Sequence, residues 1–421
     1  MRILIVTFYF PPYNAIGAVR VGKIAKYLFR KGHDVRVITA KNIISDVSLK
    51  VEIPLDNVIY ANWPSKFYES RIFRNLSVAA IPTKSSNWSS VVSVIKRTVK
   101  SILFFPDKAN SWIPYAVQSG NELLRRWKPD VIYASGGPFS SFIVATILSK
   151  KARVPWIAEY RDLWSNNHYA DLEYLNQRMH IDRILESLIV RDARAIVTVS
   201  QGLAEKLRLL FDKPIFVVYN GFDPEDYPVS RDFVDKREIL KIGYFGTLYS
   251  LRRDPTTLFV AIQKLKSKGL NIRVDFYGPD VNILEGLIKQ FNLESFVQIH
   301  APIGYKSALA KMRSYDLLLL LLLNDPREKG VLTGKIFEYL GAGRPILAIG
   351  PEDCEAAHII RGSSAGLISS NPEEIASYLE YFYENRESLL NRFDVNKNVI
   401  NFFTREIQTN ILLEYISALI K

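Results

Sequence analysis

Gly334-Lys335-Ile336-Phe337-Glu338-Tyr339-Leu340-Gly341-Ala342-Gly343-Arg344-Pro345-Ile346-Leu347-Ala348 follows an apolar run, Leu317 to Leu323, that ends at Asn324-Asp325-Pro326. The stretch reads as a buried strand, a polar loop, a short helix and a new strand starting at Pro345. Seven consecutive leucines suit a strand covered on both faces, as in a parallel sheet. The loop after such a strand is where open α/β sheets bind ligands. Lys335 falls near the helix start, whose free N–H groups and dipole favour phosphate. Glu338 follows within one helical turn, so both side chains can serve one crevice. A carboxylate beside a phosphate is poorly explained by charge and well explained by hydrogen bonds from sugar hydroxyls, such as a ribose. The plainer alternative is a solvated Lys–Glu pair.

Working outward, strand and helix alternate in two similar halves. Arg2 to Phe8 reads as a central strand, Tyr9 to Gly17 as a loop, about Ala18 to Arg30 as a helix closed by Gly32, and Val35 to Thr39 as a second strand. Further strands are expected at Val131 to Ala134, Trp156 to Glu159 and Ala195 to Val199. The second half restarts at Leu240 to Phe245, followed by a helix near Pro255 to Lys268. Strands then follow at Asn271 to Tyr277, Val297 to His300, Asp316 to Leu323, Pro345 to Ile349 and Gly366 to Ile368. From about Asn401 to Lys421, Phe402, Ile407, Ile411, Leu412, Tyr415, Ile416 and Leu419 keep helical spacing. The expectation is an α/β protein of two doubly wound, Rossmann-like domains facing a central crevice. Their bounds are residues 1–215 and 216–400, with a helix at 401–421 returning to the first domain. The crevice is the expected site.

Composition sets limits. The chain has 421 residues, 48% hydrophobic and 23% charged, and a net charge of +12 from 55 basic and 43 acidic residues. The length suits about two cores, and the charge favours anionic partners. There is no zinc-finger spacing and no RNA-recognition aromatic motif, so nucleic acid is not the expected partner. Cys354 alone excludes an intramolecular disulfide and suits a reducing compartment. Met1 to Val6 starts like a signal peptide, but aromatics and Pro11-Pro12 break it. No apolar run approaches transmembrane length. The expected location is cytoplasmic, with peripheral contact to the inner membrane face.

Three more segments carry chemistry. Gly17, in the first strand-to-helix loop, lets backbone approach a ligand closely, and Arg20 lies one turn on. Gly246-Thr247-Leu248-Tyr249-Ser250-Leu251-Arg252-Arg253-Asp254-Pro255 holds the corresponding place in the second half, and its arginines can pair with phosphate oxygens. Glu159-Tyr160-Arg161-Asp162-Leu163-Trp164-Ser165-Asn166-Asn167-His168 mixes charge, rings and amides as carbohydrate sites do; a structural Arg161–Asp162 network is the alternative. No Ser/His/Asp triad or metal-ligand cluster is readable. About residues 67–115 form a basic, aromatic insertion. Trp88, Val91, Val92, Val94, Ile95, Val99, Ile102, Leu103, Phe104 and Phe105, with Lys84, Lys96, Arg97 and Lys100, can form an apolar face edged by positive charge. Such a face suits an anionic membrane, or else docks on its own domain.

Taken in order, these segments resemble family 4 retaining nucleotide-sugar glycosyltransferases of the GT-B architecture, in their bacterial surface-polysaccharide branch. The likeness rests on Phe10-Pro11-Pro12 with Gly17, Glu159 to Trp164, Val199-Ser200, Tyr219-Asn220-Gly221-Phe222-Asp223, Gly246-Thr247-Leu248 with Arg252 to Pro255, and Gly334 to Leu340. It implies transfer of a sugar, with retention, from a nucleotide-diphosphate donor to a glycan or lipid-linked acceptor. A UDP-sugar is the expected donor, and neither a cofactor nor a metal is expected. By position, Glu338 corresponds to the ribose-binding glutamate. Arg252 or Arg253, with Lys335, corresponds to the diphosphate-binding cations, and Gly17, Gly246, Thr333 and Gly334 stand beside them. Ile303 and Gly304 fall where backbone meets the nucleobase. Glu159, Arg161, Asp162 and Lys335 are the catalytic candidates. Arg20, Trp164, Trp88, Phe104 and Phe105 are the acceptor or membrane candidates. One departure stands out: many members carry a glutamate eight residues before the ribose-binding one, and this chain has Gly330 there, with Glu328 two positions earlier. A GT-B nucleotide-sugar epimerase and a non-catalytic partner subunit are the rival readings.

Overall fold

The computed structural model describes residues 1–43, 46–64, 98, 101, 103–166, 176–228, 239–391 and 396–420. The chain divides into two compact units, Met1–Val218 with Thr409–Lys421, and Tyr219–Gln408.

In the first unit the elements are β1 (Arg2–Thr7), α1 (Ile16–Arg30), β2 (Asp34–Ala40), β3 (Val58–Ala61), α2 (Ile113–Leu124), β4 (Val131–Ser135), α3 (Ser140–Ala152), β5 (Trp156–Tyr160), α4 (Asn176–Val190), β6 (Ala195–Thr198), α5 (Gln201–Arg208) and β7 (Ile215–Val217). The seven strands form one parallel sheet in the order β3-β2-β1-β4-β5-β6-β7. Side chains alternate across a strand. Leu4 and Val6 therefore meet Trp112, Phe142 and Leu148 on one face. Ile3 and Ile5 meet Val21, Ile24 and Leu28 of α1 on the other. Helix α5 is capped by Ser200, whose hydroxyl accepts the Leu203 N–H at 3.2 Å.

The second unit contains β8 (Leu240–Phe245), α6 (Thr256–Lys266), β9 (Ile272–Tyr277), α7 (Glu285–Gln290), β10 (Val297–His300), α8 (Tyr305–Met312), β11 (Leu317–Leu321), α9 (Gly334–Ala342), β12 (Ile346–Ile349), α10 (Glu355–Gly362), β13 (Gly366–Ser369), α11 (Pro372–Glu384), α12 (Arg386–Asn391) and α13 (Lys397–Phe402). Its six strands are also parallel, in the order β10-β9-β8-β11-β12-β13. The leucine run is buried on both faces. Leu318 and Leu320 pack with Ile336, Phe337 and Leu340, while Leu317, Leu319 and Leu321 pack on the opposite side with Leu258 and Leu379. The last helix, α14 (Arg405–Ile420), starts in the second unit and ends in the first, where Leu412 and Ile416 complete the core beside Ile3 and Val21.

Both sheets have the doubly wound α/β form expected from the alternation. Strands β3 and β7, four and three residues long, had not been foreseen. Helix α1 begins at Ile16, so Gly17 lies in its first turn and not in the preceding loop. The C-terminal segment is two helices, α13 and α14, broken at Phe403 and Thr404. No described helix is long and apolar enough to cross a membrane.

Candidate functional site

Each sheet reverses its winding beside its first strand, between β1 and β4 and between β8 and β11. Ligands of doubly wound sheets bind at the carboxyl ends of the strands flanking such a reversal. In the second unit, the segments that follow β8 and β11 meet there. Thr333 caps α9, its side chain accepting the Lys335 N–H at 3.5 Å. Lys335 therefore sits in the first turn, after Gly334. Its side chain runs back to β8, where Nζ donates to the Tyr244 hydroxyl at 3.1 Å and stands 4.4 Å from the centre of that ring. The route passes directly over Gly246. A Cβ at that position would lie 2.2 Å from both Cε and Nζ of Lys335, and Gly246 has φ of 139°, a backbone state that disfavours side chains.

Burial moves both ionisable groups of this corner toward their neutral forms. Burial pushes the Lys335 ammonium well below its ordinary value, and the Arg253 charge adds to that; Glu338 and Asp280 oppose it. Glu338, one turn along α9, is half-buried. Burial raises its carboxyl above the ordinary range despite the nearby Lys335 and Arg405, and Asp226 adds to the rise. Its backbone carbonyl accepts from the Tyr227 hydroxyl at 2.7 Å, yet its carboxylate has no hydrogen-bond partner among the described residues. The Tyr244 hydroxyl, pushed up to about 12 chiefly by burial, keeps its proton and donates it to the Thr247 carbonyl at 2.8 Å. A cation and a carboxylate, both partly stripped of water, are stabilised when a phosphate and hydroxyl groups replace that water.

The loop after β8 separates the two arginines. Tyr249, Ser250 and Leu251 have φ of 52°, 55° and 64°, three successive non-glycine residues in the left-handed region. Such strain collects at functional loops. The turn exposes Arg252 and carries Arg253 inward. Arg253 lies over the Tyr249 ring at 4.8 Å, with its Nε buried and lacking a hydrogen-bond partner. It lines a cavity of about 60 Å³ together with Leu322, Glu328, Thr333 and Cys354. Glu328 is buried at the end of a short 3-10 turn, Pro326–Glu328. Ile303 and Gly304 lie in the exposed segment between β10 and α8, and Gly304 is the residue before α8.

Tyr244 and Asp280, whose carboxylate accepts the Leu248 N–H at 2.8 Å, had not been singled out; in sequence they are an ordinary strand tyrosine and an ordinary loop aspartate. Equally unforeseen is a row of rings closing β8, β9 and β10. Phe245 and Tyr277 stack at 5.0 Å, Tyr277 and His300 at 4.3 Å, and His300 Nε2 is held 2.6 Å from Asp275. The register pairs Phe245 with Tyr277 and Tyr277 with His300, which is what brings the rings together.

In the first unit, Gly17 and Arg161 meet. The Arg161 guanidinium donates to the Gly136 carbonyl at 2.9 Å and to that of Gly137. A Cβ on Gly17 would fall 1.7 Å from one of its terminal nitrogens, so the glycine makes room for it. Asp162 is exposed beside it. Several other candidates occupy the interior instead. Glu159 is fully buried; it accepts from Arg20 at 2.8 Å, from Ser135 at 2.5 Å and from the Tyr133 hydroxyl. Burial alone would raise its carboxyl, but Arg20 and the two hydroxyls overcome that and hold it below the ordinary value. Arg20 also donates to the Val218 carbonyl at 2.9 Å, so this pair is enclosed and presents nothing to an acceptor. Trp164 is buried as well, stacked on Phe139 at 4.8 Å. Phe104 is buried and its carbonyl accepts from Arg178 at 2.8 Å, which removes it from any membrane-facing surface. Phe105 is half-buried, 5.7 Å from the Arg178 guanidinium. Trp88 and His168 lie outside the described residues.

The family model for Glycosyltransferase Family 4 matches residues 17–226. No curated protein matches the chain in sequence. Solved structures match over its whole length. Sucrose-phosphate synthase (tll1590) from Thermosynechococcus elongatus gives a TM-score of 0.66 at 13% identity, covering 100% of this chain and 99% of that one. Anabaena Alr3699/HepE in complex with UDP gives 0.65 at 15%, covering 99% and 100%. The apo form of the lipopolysaccharide outer core galactosyltransferase WaaB gives 0.57 at 12%, covering 99% of each. At such identities the likeness is one of fold, and it agrees with the two parallel sheets described above. With that fold and the family match, the chain belongs to glycosyltransferase family 4 and is a glycosyltransferase of the GT-B type.

Proposed function

We propose that the chain transfers a hexose from a nucleoside-diphosphate sugar, with retention of configuration, to a glycan or lipid-linked acceptor in bacterial surface-polysaccharide synthesis. The observation that carries the donor reading is Lys335 lying across Gly246, with the Glu338 carboxylate, which has no hydrogen-bond partner among the described residues, one turn on. Lys335 and Arg253 would hold the diphosphate. Glu338 would accept hydrogen bonds from the ribose hydroxyls. Glu328, which lines the cavity with Arg253 and Thr333, would accept from the donor sugar where Gly330 has no side chain to offer. A uridine donor is the first choice, because HepE structures were solved with UDP and with UDP-glucose.

In this reading the bond from the anomeric carbon to the diphosphate oxygen breaks. The acceptor oxygen bonds to that carbon on the same face, and the acceptor proton passes to the departing phosphate. Negative charge grows on the diphosphate, and cations already fixed in place stabilise it without later rearrangement. Lys335 and Arg253 supply that charge, so the reading requires no metal. Arg161, over Gly17, and the exposed Asp162 are the first-unit residues proposed to act on the acceptor side.

The test is thermal unfolding against uridine, guanosine, adenosine and thymidine diphosphate sugars, with Glu338→Ala alongside. A ligand that binds only the native state raises the midpoint. A rise for one base, lost in the variant, is the expected result. An equal rise in the variant would remove Glu338 from the site, and no rise with any donor would count against the transferase reading.

A further inference from the structure

Asp280 stands directly before a 3-10 turn, Val281–Leu284. From that place an aspartate ordinarily accepts an N–H of its own turn, as Asp325 does before Pro326–Glu328, where it takes the Arg327 N–H at 2.9 Å. Asp280 makes no such cap. Both its carboxylate oxygens turn to the loop after β8 instead and accept the Leu248 N–H, at 2.8 and 3.1 Å. At the other end of the same peptide unit, the Thr247 carbonyl accepts from the Tyr244 hydroxyl at 2.8 Å. One peptide is thus held at both polar ends, by a side chain of β8 and by one just beyond β9. The residue before it is fixed as well. The Gly246 N–H donates to the Tyr277 carbonyl at 2.7 Å, and a Cβ on Gly278 would come within 2.2 Å of the Gly246 carbonyl oxygen, so the two turns pack backbone to backbone.

The hold passes on to Arg253. The Leu248 carbonyl accepts the Arg253 N–H at 3.1 Å, which closes the turn made by Tyr249, Ser250 and Leu251 in their left-handed conformations. Leu248 is itself buried, in one core with Val281 and Leu284. Its N–H goes to Asp280 and its carbonyl to Arg253, so a single residue joins the carboxylate to the inward arginine. The charge of Asp280 has two opposed effects. It favours the Lys335 ammonium, and it would repel the phosphates that Lys335 and Arg253 are proposed to hold. Charge therefore does not account for its place, whereas the N–H it holds does. We infer that Asp280 is a positioning residue, which aims Arg253 at the donor diphosphate by fixing Leu248. The inference rests on the donor reading above, because it concerns what Arg253 is aimed at. A cation held in place before the ligand arrives loses little on binding.

The experiment is calorimetric titration of the full chain with uridine, guanosine, adenosine and thymidine diphosphates in turn, beside deuterium exchange of residues 246–254 read by mass spectrometry. Asp280→Ala should weaken binding of the preferred diphosphate by about tenfold or more and speed exchange across that segment. Asp280→Asn keeps an acceptor for the Leu248 N–H without the charge, and should restore both affinity and slow exchange. Arg253→Ala should weaken binding too. In that background Asp280→Ala should still speed exchange yet leave the remaining affinity unchanged. Three results would each overturn the inference: Asp280→Ala with wild-type affinity or wild-type exchange, Asp280→Asn as weak as Asp280→Ala, or an Asp280→Ala loss that persists in full without Arg253. The second would assign the effect to charge on Lys335. Failure of the donor reading looks different: wild type binding no diphosphate, or Arg253→Ala binding as wild type does, would remove that reading and this inference together.

Discussion

Gly246→Ala separates two costs that usually arrive together. The first is conformational: φ of 139° is nearly a glycine-only state, and holding an alanine there costs about 1–3 kcal/mol. In a unit of this size that lowers the melting midpoint by about 2–4 °C per kcal/mol. The second concerns Lys335. The new Cβ would stand 2.2 Å from Cε and Nζ, but these atoms end a flexible chain, so Lys335 swings away and the clash adds little to the stability loss. What disappears is the position of its charge. A charge-assisted hydrogen bond contributes about 1.5–3 kcal/mol, so donor affinity should fall about ten- to hundredfold. Calorimetric titration with a nucleoside diphosphate reads the second effect, and a thermal melt reads the first. The two separate fully in a Lys335→Ala background: there Gly246→Ala should still lower the midpoint yet leave the remaining affinity unchanged. Wild-type affinity in the single variant, or additive affinity losses in the double variant, would refute the account.

Replacing Glu338 with Gln should raise stability at neutral pH while weakening donor binding. The native carboxyl titrates above its unfolded value, so the native state binds more protons and its stability falls as pH rises through that window; melts of both proteins across pH should show the wild-type fall and a flatter line for the variant. Lys335 is the opposite case, an ammonium whose native value is depressed, so its contribution to stability grows as pH rises from the native value toward the unfolded one. A bound diphosphate should restore its proton, and titration in buffers of different ionisation enthalpy should show net proton uptake that vanishes in Lys335→Met. Glu159→Ala should destabilise the chain by about 3–5 kcal/mol, the cost of leaving a buried partner charge uncompensated, as read from denaturant melts of wild type and variant.

The parallel sheets were legible because their evidence is local. Leu317 to Leu321 reads as a strand covered on both faces, and Lys335 and Glu338 read as neighbours on a helix because their spacing alone makes them so. Arg252 and Arg253 could not be told apart; three consecutive left-handed residues turn one out and the other in, and nothing in Tyr249-Ser250-Leu251 announces that. Arg20 resembled an exposed first-helix cation since its partner, Glu159, is distant in sequence. The same limit applies to α4. Its buried Glu186 takes hydrogen bonds from Tyr160 and Ser165, which only the folded sheet brings near. Strands β3 and β7 are too short for alternation to emerge above chance, and they sit at sheet edges, where neighbours supply part of the pattern.

The last helix imposes an order on synthesis. Leu412 and Ile416 lie against Ile3 and Val21, so the two ends of the chain share one core. A ribosome emits Ile3 more than 400 residues before Ile416. The Tyr219–Gln408 unit is contiguous and can fold as it emerges, whereas the unit begun first must wait with an open apolar face until Thr409–Lys421 arrives. Nascent chains stalled shortly before Thr409 should therefore hold a protease-resistant second unit and a first unit still open to cleavage and to chaperones.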